Sequence, residues 1–322
     1  MSQYILKYFD TMNSEEISLF EESQLGKLMR KHYLRNECSV RFYLDYFGEG
    51  FKERSLILFK GNFPEIVIPA LCKEGEINFA NNETEILSVL KDEARRKSML
   101  VLFKKIKDEK KLKQGTIAKF KNDTFLLKEF VNHLDSVELK KVGVVDFKLS
   151  QQFRKQNIRK SYKSLINWGE KNLTIEKIDQ SNLMLEKFNL FKSLHIEASG
   201  RQIRSDESWN QQFEIIKNGY GFLINAYMNS KIVSGCFIMH DKNTAIYGVA
   251  ASNRTLMSEG MPLNHFNLWK AISVAYEKGC NLFVLGDIED KKIVDKKLQN
   301  LALFKRGFAS DIFLDKILNI KL

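Results

Sequence analysis

Residues 244–290 read TAIYGVAASNRTLMSEGMPLNHFNLWKAISVAYEKGCNLFVLGDIED. Residues 244–251 gather the aromatic and β-branched side chains of a strand. Residues 252–260 form a polar loop closing on Ser258, Glu259 and Gly260. Pro262 stands where a first helical turn tolerates a missing N–H. The helix predicted over 262–278 stops at Gly279, a left-handed C-terminal position. Residues 282–285 make a second strand. A helix whose N-terminus follows a glycine-ended loop offers free N–H groups and the positive end of its dipole, which suits a phosphate or pyrophosphate. The same pattern equally describes a strand–loop–helix–strand unit that binds nothing, and taken alone it leaves both open.

Upstream, residues 222–228 and 232–239 are two more strands joined by Asn229-Ser230-Lys231. The second half therefore reads strand, strand, strand, helix, strand. Residues 55–103 give the same order: strands over 55–60 and 65–72, a short strand over 77–80, a helix over 83–97 and a strand over 99–103. The predicted fold class is α/β (α+β), built on an internal duplication offset by about 170 residues, longer than a solenoid period. Between strand and helix the first copy has only Asn81-Asn82, too short for an anion loop. Only the second copy has the long loop.

The chain has 322 residues, 44% hydrophobic and 28% charged, which bounds it as globular rather than disordered. Lys+Arg 51 against Asp+Glu 40 gives +11, a balance that favours an anionic partner such as nucleic acid or a phosphorylated cofactor, or simply scattered surface lysines. The four cysteines, Cys38, Cys72, Cys236 and Cys280, form no CxxC pair, so neither a metal site nor a disulfide framework is expected. They fit a reducing cytoplasm. The first residues lack a signal-peptide pattern, and no apolar window is long enough to span a bilayer.

A strand over 142–147 leads into SQQFRKQNIRKSYKSLINW, residues 150–168, where Ser150 is a helix cap and Arg154, Lys155, Arg159, Lys160 and Lys163 make a basic stripe. That stripe reads equally as a phosphate contact and as a solvated face. From here the chain resembles a known group. VVDFKLSQQFRKQNIRKSYKSLINWG, LFKSLHIEASGR, LINAYMNSKIVSGCFIM, residues 245–280 and the closing LFKRGFA follow in the order of the C-terminal domain of Fem-type and related acyltransferases of the GNAT superfamily. The resemblance covers roughly 142–309. It implies two tandem GNAT-like domains, each a mixed, mostly antiparallel sheet flanked by helices, with a degenerate N-terminal domain over 1–141 and an acyltransferase domain over 142–322. It departs from the superfamily's usual phosphate loop, which is Arg/Gln-x-x-Gly-x-Gly/Ala. Here Arg254 to Gly260 carries a single glycine.

What the resemblance implies is transfer of an acyl group from acetyl-CoA or another acyl-CoA, without a metal, to an amine or hydroxyl of a sugar or nucleotide-linked sugar in cell-surface polysaccharide biosynthesis. Fem-type members instead take an aminoacyl group from tRNA and attach it to a peptidoglycan precursor. A non-catalytic binding module on the same fold is a third possibility, because fold does not fix function. The expected donor-binding residues are Arg254, Ser258, Glu259, Gly260 and Met261. Asp287 and Glu289, past the end of a strand, are candidates for general base or substrate ligand. His195 is a candidate base near neutral pH, and Tyr247 a proton donor to a leaving thiolate. Glu197, Arg201 and Arg204 are candidates to hold the acceptor, and Lys305 to meet a phosphate. Each has a plainer alternative: a packed histidine, a solvated carboxylate, a tyrosine lining the sheet.

Overall fold

The computed structural model describes residues 3–73, 75–80, 82–108, 117–121, 123–148, 158–288 and 295–321. The chain divides into two compact units, Met1–Lys140 with Asp315–Leu322, and Lys141–Leu314.

In the first unit, β1 (Tyr4–Tyr8) leads to α1 (Ser14–Glu22), α2 (Gln24–Arg30) and α3 (Glu37–Phe47). Asn13 and Glu16 form a reciprocal capping box at the start of α1. The strands β2 (Lys52–Glu53), β3 (Leu56–Lys60), β4 (Phe63–Ile68), β5 (Leu71–Cys72) and β6 (Leu87–Ser88) follow. The main sheet has the order β1-β3-β4-β6, antiparallel throughout, and β2 pairs with β5. After α4 (Asp92–Asp108) come β7 (Ile117–Lys121), α5 (Thr124–Glu129) and β8 (Leu134–Asp146), whose first half belongs here. The final strand, β14 (Asp311–Lys321), pairs with β7, and its Leu318 and Ile320 join Ala118, Phe120, Phe103 and Leu6 in one core cluster. That burial is why the last eight residues fall in the first unit and outside the domain expected over 142–322.

Three expected elements of this half are corrected. Residues 77–80 make isolated bridges only, Ile77 to Ala118 and Phe79 to Leu71 and Asn82. The helix expected over 83–97 starts only at Asp92. Ahead of it, Ile86 packs into one cluster while Leu87 and Val89 pack into another, the alternation of extended chain. Residues 99–103 are no strand: Met99, Leu102, Phe103 and Ile106 are buried at helical spacing along α4.

In the second unit the strand order is β8-β13-β12-β11-β10-β9, with β9 (Thr174–Ile178), β10 (Gly221–Met228), β11 (Lys231–His240), β12 (Thr244–Ser252) and β13 (Leu282–Asp287). Every named pairing is antiparallel except β12 with β13. α6 (Lys160–Asn172) and α10 (Leu263–Glu277) share a core with Phe222, Ile224, Cys236 and Ile238. Alternate positions of the same strands face α7 (Leu185–Ser199): a Cβ at Gly235 would stand 2.5 Å from the Phe191 ring. α8 (Asp206–Lys217) contributes the buried Trp209, and α9 (Arg254–Ser258) and α11 (Lys296–Arg306) complete the unit. Gly307 is explained by Tyr162: a Cβ there would lie 2.1 Å from its ring. Among the described residues no helix is long and apolar enough to cross a membrane.

Candidate functional site

The site begins where the two parallel strands part. β12 and β13 pair at three positions, Thr244 with Leu282, Ala245 with Phe283 and Ile246 with Val284. Beyond them β12 continues to Ser252 and β13 to Asp287 without pairing to each other. Each strand also shifts register at the fork. Against β11 the shift leaves Gly248 as the extra residue, and against β8 it falls between Val284 and Gly286. Bulges bend and twist a strand, so both arms turn as they separate. A crevice at the carboxyl ends of parallel strands is where an open α/β sheet accepts a ligand.

The loop above the fork contains a helix the sequence reading missed, α9, capped by the Asn253 side chain on the Leu256 N–H at 3.0 Å. Gly260 follows with φ +87°, a conformation that favours glycine. Pro262 then occupies the N-cap of α10, one place earlier than predicted, and no side chain caps that helix. The expected donor residues are therefore neighbours, but their side chains differ in availability. Arg254 donates from Nε to the Ala198 carbonyl at 3.2 Å, at the end of α7. Asn253 reaches Glu197 Oε1 at 3.4 Å, which joins Glu197 to the loop. Ser258 donates to the Thr255 carbonyl at 2.6 Å. Glu259 is exposed, and Met261 packs against the core.

At the other arm, Asp287 ends β13 and is exposed. Lys305, on α11, lies over the fork glycine: its Nζ is 3.0 Å from the Cβ position of Gly286. Burial pushes the Lys305 ammonium below its ordinary range, and the negative charge of Asp287 partly offsets this. Arg306 beside it donates to the Ile288 carbonyl at 2.9 Å. Tyr247, the first β12 residue past the paired stretch, is half-buried against the α10 side of the sheet. Burial raises its phenol, so it is a neutral donor across the physiological range. Glu289 and the basic positions Arg154 and Lys155, with the proposed cap Ser150, lie outside the described residues. Of the rest of that stripe, Arg159 and Lys160 are exposed.

His195 sits elsewhere. It is 7% exposed, edge-on to Trp209 at 5.1 Å between ring centroids. Burial first, and the nearby Arg204 second, push its imidazole down to about 4. This is the environment of a packed neutral ring, with little basicity near pH 7. Arg204 lies over the Trp209 ring at 5.9 Å, and Arg201 is exposed. With Gln202, Ile203 and Ser205 they line an open groove of about 560 Å³, beginning three residues after the Ala198 carbonyl that holds Arg254. His265 is likewise packed, against Tyr162 and Phe304, and lowered to about 4. The buried Cys236 and Cys280 thiols are both raised, Cys280 to about 11, so neither is a thiolate nucleophile at neutral pH.

One group of residues was missed. Ser234 on β11, Ser252 on β12 and Asn264 and Asn267 on α10 form a hydrogen-bonded cluster beneath the loop. The signal was present: serines inside apolar strands, and asparagines three apart on a largely apolar helix.

No protein-family model matches the chain, and no curated protein matches it by sequence. Solved structures do. FemX is similar at 13% identity over 98% of this chain and 97% of its own, with a TM-score of 0.60. The C-terminal domain of a putative lysylphosphatidylglycerol synthetase from Agrobacterium fabrum is similar at 12% identity over 96% and 92%, with a TM-score of 0.61. L-PGS from Bacillus licheniformis gives 12%, 96%, 91% and 0.57. At such identities the likeness shows the fold alone: a mixed α/β chain of mostly antiparallel sheets and helices, shared with these three structures over nearly its whole length.

Proposed function

We propose that this protein is a transferase that moves an acyl group from an activated donor, held in the β12–β13 fork, to an amine or hydroxyl of an acceptor. The observation that carries the reading is the fork itself, with a bulge in each arm, a glycine-ended loop and an uncapped helix N-terminus at one side, and Lys305 over Gly286 at the other. An anionic donor is attracted by the helix dipole and by Lys305.

The acceptor nitrogen or oxygen attacks the carbonyl carbon of the donor, and the bond to the leaving sulfur or oxygen breaks. Lys305 stabilises the oxygen that becomes negative. Tyr247 gives its proton to the leaving atom, and Asp287 takes the proton released by the acceptor. Positioning in the fork supplies much of the rest, on the order of 7–11 kcal/mol of barrier in favourable cases. The acceptor enters over the groove of Arg201 and Arg204, beside the donor loop, and is a sugar or nucleotide-linked sugar of the cell surface.

Two donors are proposed for the fork. An acyl-CoA is the leading one. An aminoacyl-tRNA is the second, favoured by the likeness in fold to FemX and to the C-terminal domain of a putative lysylphosphatidylglycerol synthetase and by the net charge of +11. Calorimetry with acetyl-CoA and, separately, with an aminoacyl-tRNA across a salt series distinguishes them, since tRNA binding weakens steeply with salt. Failure of acetyl-CoA to bind at millimolar concentration removes the first donor, and failure of both removes the transferase reading.

A further inference from the structure

The cluster beneath the donor loop fixes which way one amide points. Cys236 donates its S–H to Asn267 Oδ1 at 3.3 Å, which turns the Asn267 Nδ2 toward Ser234 Oγ at 3.0 Å. Ser234, having accepted that bond, has its own hydroxyl proton to give, and Asn264 Oδ1 lies 3.2 Å away. Ser252, 3.1 Å from Ser234, donates to the same Asn264 oxygen. Two hydroxyl donors therefore occupy the carbonyl end of Asn264, and its NH2 must face the opposite way. That way is the loop: Nδ2 lies 3.8 Å from the Met257 sulfur, a weak acceptor, which engages at most one of its two protons. Asn264 is half-buried in the first turn of α10, next to the strand end Ser252 where β12 has left β13. A buried network that spends four side chains on orienting one exposed-side amide is costly unless that amide is used.

We propose that Asn264 is a donor-binding residue, its Nδ2 giving a hydrogen bond to a phosphate oxygen of the donor bound in the fork. This rests on the transferase reading above. Both donor classes carry phosphate oxygens, so the chemistry is shared and the two probes separate the source.

The test turns on the order of two substitutions. Asn264→Asp keeps an oxygen for both serines but puts a carboxylate oxygen in place of the NH2. Asn264→Ala removes both ends. If the residue only holds the cluster together, Asp is the milder change. If it binds the donor, Asp is the harsher one, because a carboxylate faces the phosphate. With the full-length protein we expect Asn264→Asp to raise the dissociation constant for CoA, or for an aminoacyl-tRNA, by at least about tenfold. We expect Asn264→Ala to raise it less, while the thermal midpoint of the Asp variant stays nearer the wild type. Should the Asp variant not fold, Asn264→Ala alone still raises the constant several-fold. An unchanged constant in either folded variant, or a larger loss in Ala than in Asp, overturns the proposal with the transferase reading intact. A wild type that binds neither CoA nor aminoacyl-tRNA overturns both.

Discussion

Replacing Gly169 with alanine sets two well-measured effects against each other. Gly169 lies in the last turns of α6, where alanine is worth about 1 kcal/mol over glycine on helix propensity alone. Yet an added Cβ would stand 2.3 Å from the Cβ of Phe266, 2.9 Å from its Cγ and 3.2 Å from its Cδ1. Carbon atoms rest at about 3.5–4.0 Å, so the overlap exceeds an ångström. No rotamer change relieves it, because the nearest atom is a Cβ and moves only with the α10 backbone. Overpacking of this kind costs about 1–3 kcal/mol, sometimes more, and here the upper part of the range applies. The net expectation is a loss of about 1–2 kcal/mol, or ~2–8 °C in thermal midpoint for a unit of this size. Ser161→Ala, on an exposed position of the same helix, should stay within about 0.5 kcal/mol. Circular dichroism melts of the three proteins decide it. A Gly169→Ala protein that melts above the wild type refutes the seating of α6 on Phe266, and with it the placement of α10 at the fork.

Lys305→Ala should lower the transfer rate by about 10²–10³ if its ammonium stabilises the oxyanion. Since burial lowers Lys305 and Asp287 partly offsets this, Asp287→Asn should both slow transfer, by removing the base, and move the alkaline limb of the residual pH–rate profile to lower pH; a limb that does not move contradicts that electrostatic coupling. His195 and His265, both near 4, should show no imidazole titration above about pH 5 by NMR. Their folded values lie below the unfolded 6.5, so the unfolded chain binds these protons first: the stability they confer is complete above 6.5 and is lost as pH falls through about 4. A melting midpoint that is flat from pH 6.5 to 4 counts against their burial. Gly260→Ala meets no atom within 4 Å but is strained at φ +87°, so it should weaken donor binding with only about 1 kcal/mol of stability lost; a variant that binds donor as the wild type does removes the loop from the site.

The second half of the fold was legible because its signals agree. Pro262, Gly279 and the β-branched runs each punctuate an element that the structure contains, and strands over 222–228 and 232–239 appear as β10 and β11. The first half was legible only in outline. Ile86, Leu87 and Val89 also fit a helical spacing, and only their burial in separate clusters shows that the chain is extended there. Met99, Leu102, Phe103 and Ile106 carried the helical period, but a five-residue window over 99–103 hides it. In the site, Lys305 and Asp287 are 18 residues apart and come near each other only because α11 packs back on β13, a proximity no local pattern encodes. His195 was a candidate base because histidine usually titrates near neutrality, beside the plainer reading of a packed ring, and the local sequence does not choose between them. Its burial against Trp209 is a tertiary fact.

Hydrogen–deuterium exchange of the full-length protein, with and without acetyl-CoA and then aminoacyl-tRNA, tests the fork most directly. The account predicts that one of these donors slows exchange at Asn253–Asn264 and at Leu285–Ile288, the two arms with their loop, while β9 and β10 are unchanged. Binding of a donor that protects another surface and leaves both arms exchanging as before would contradict it.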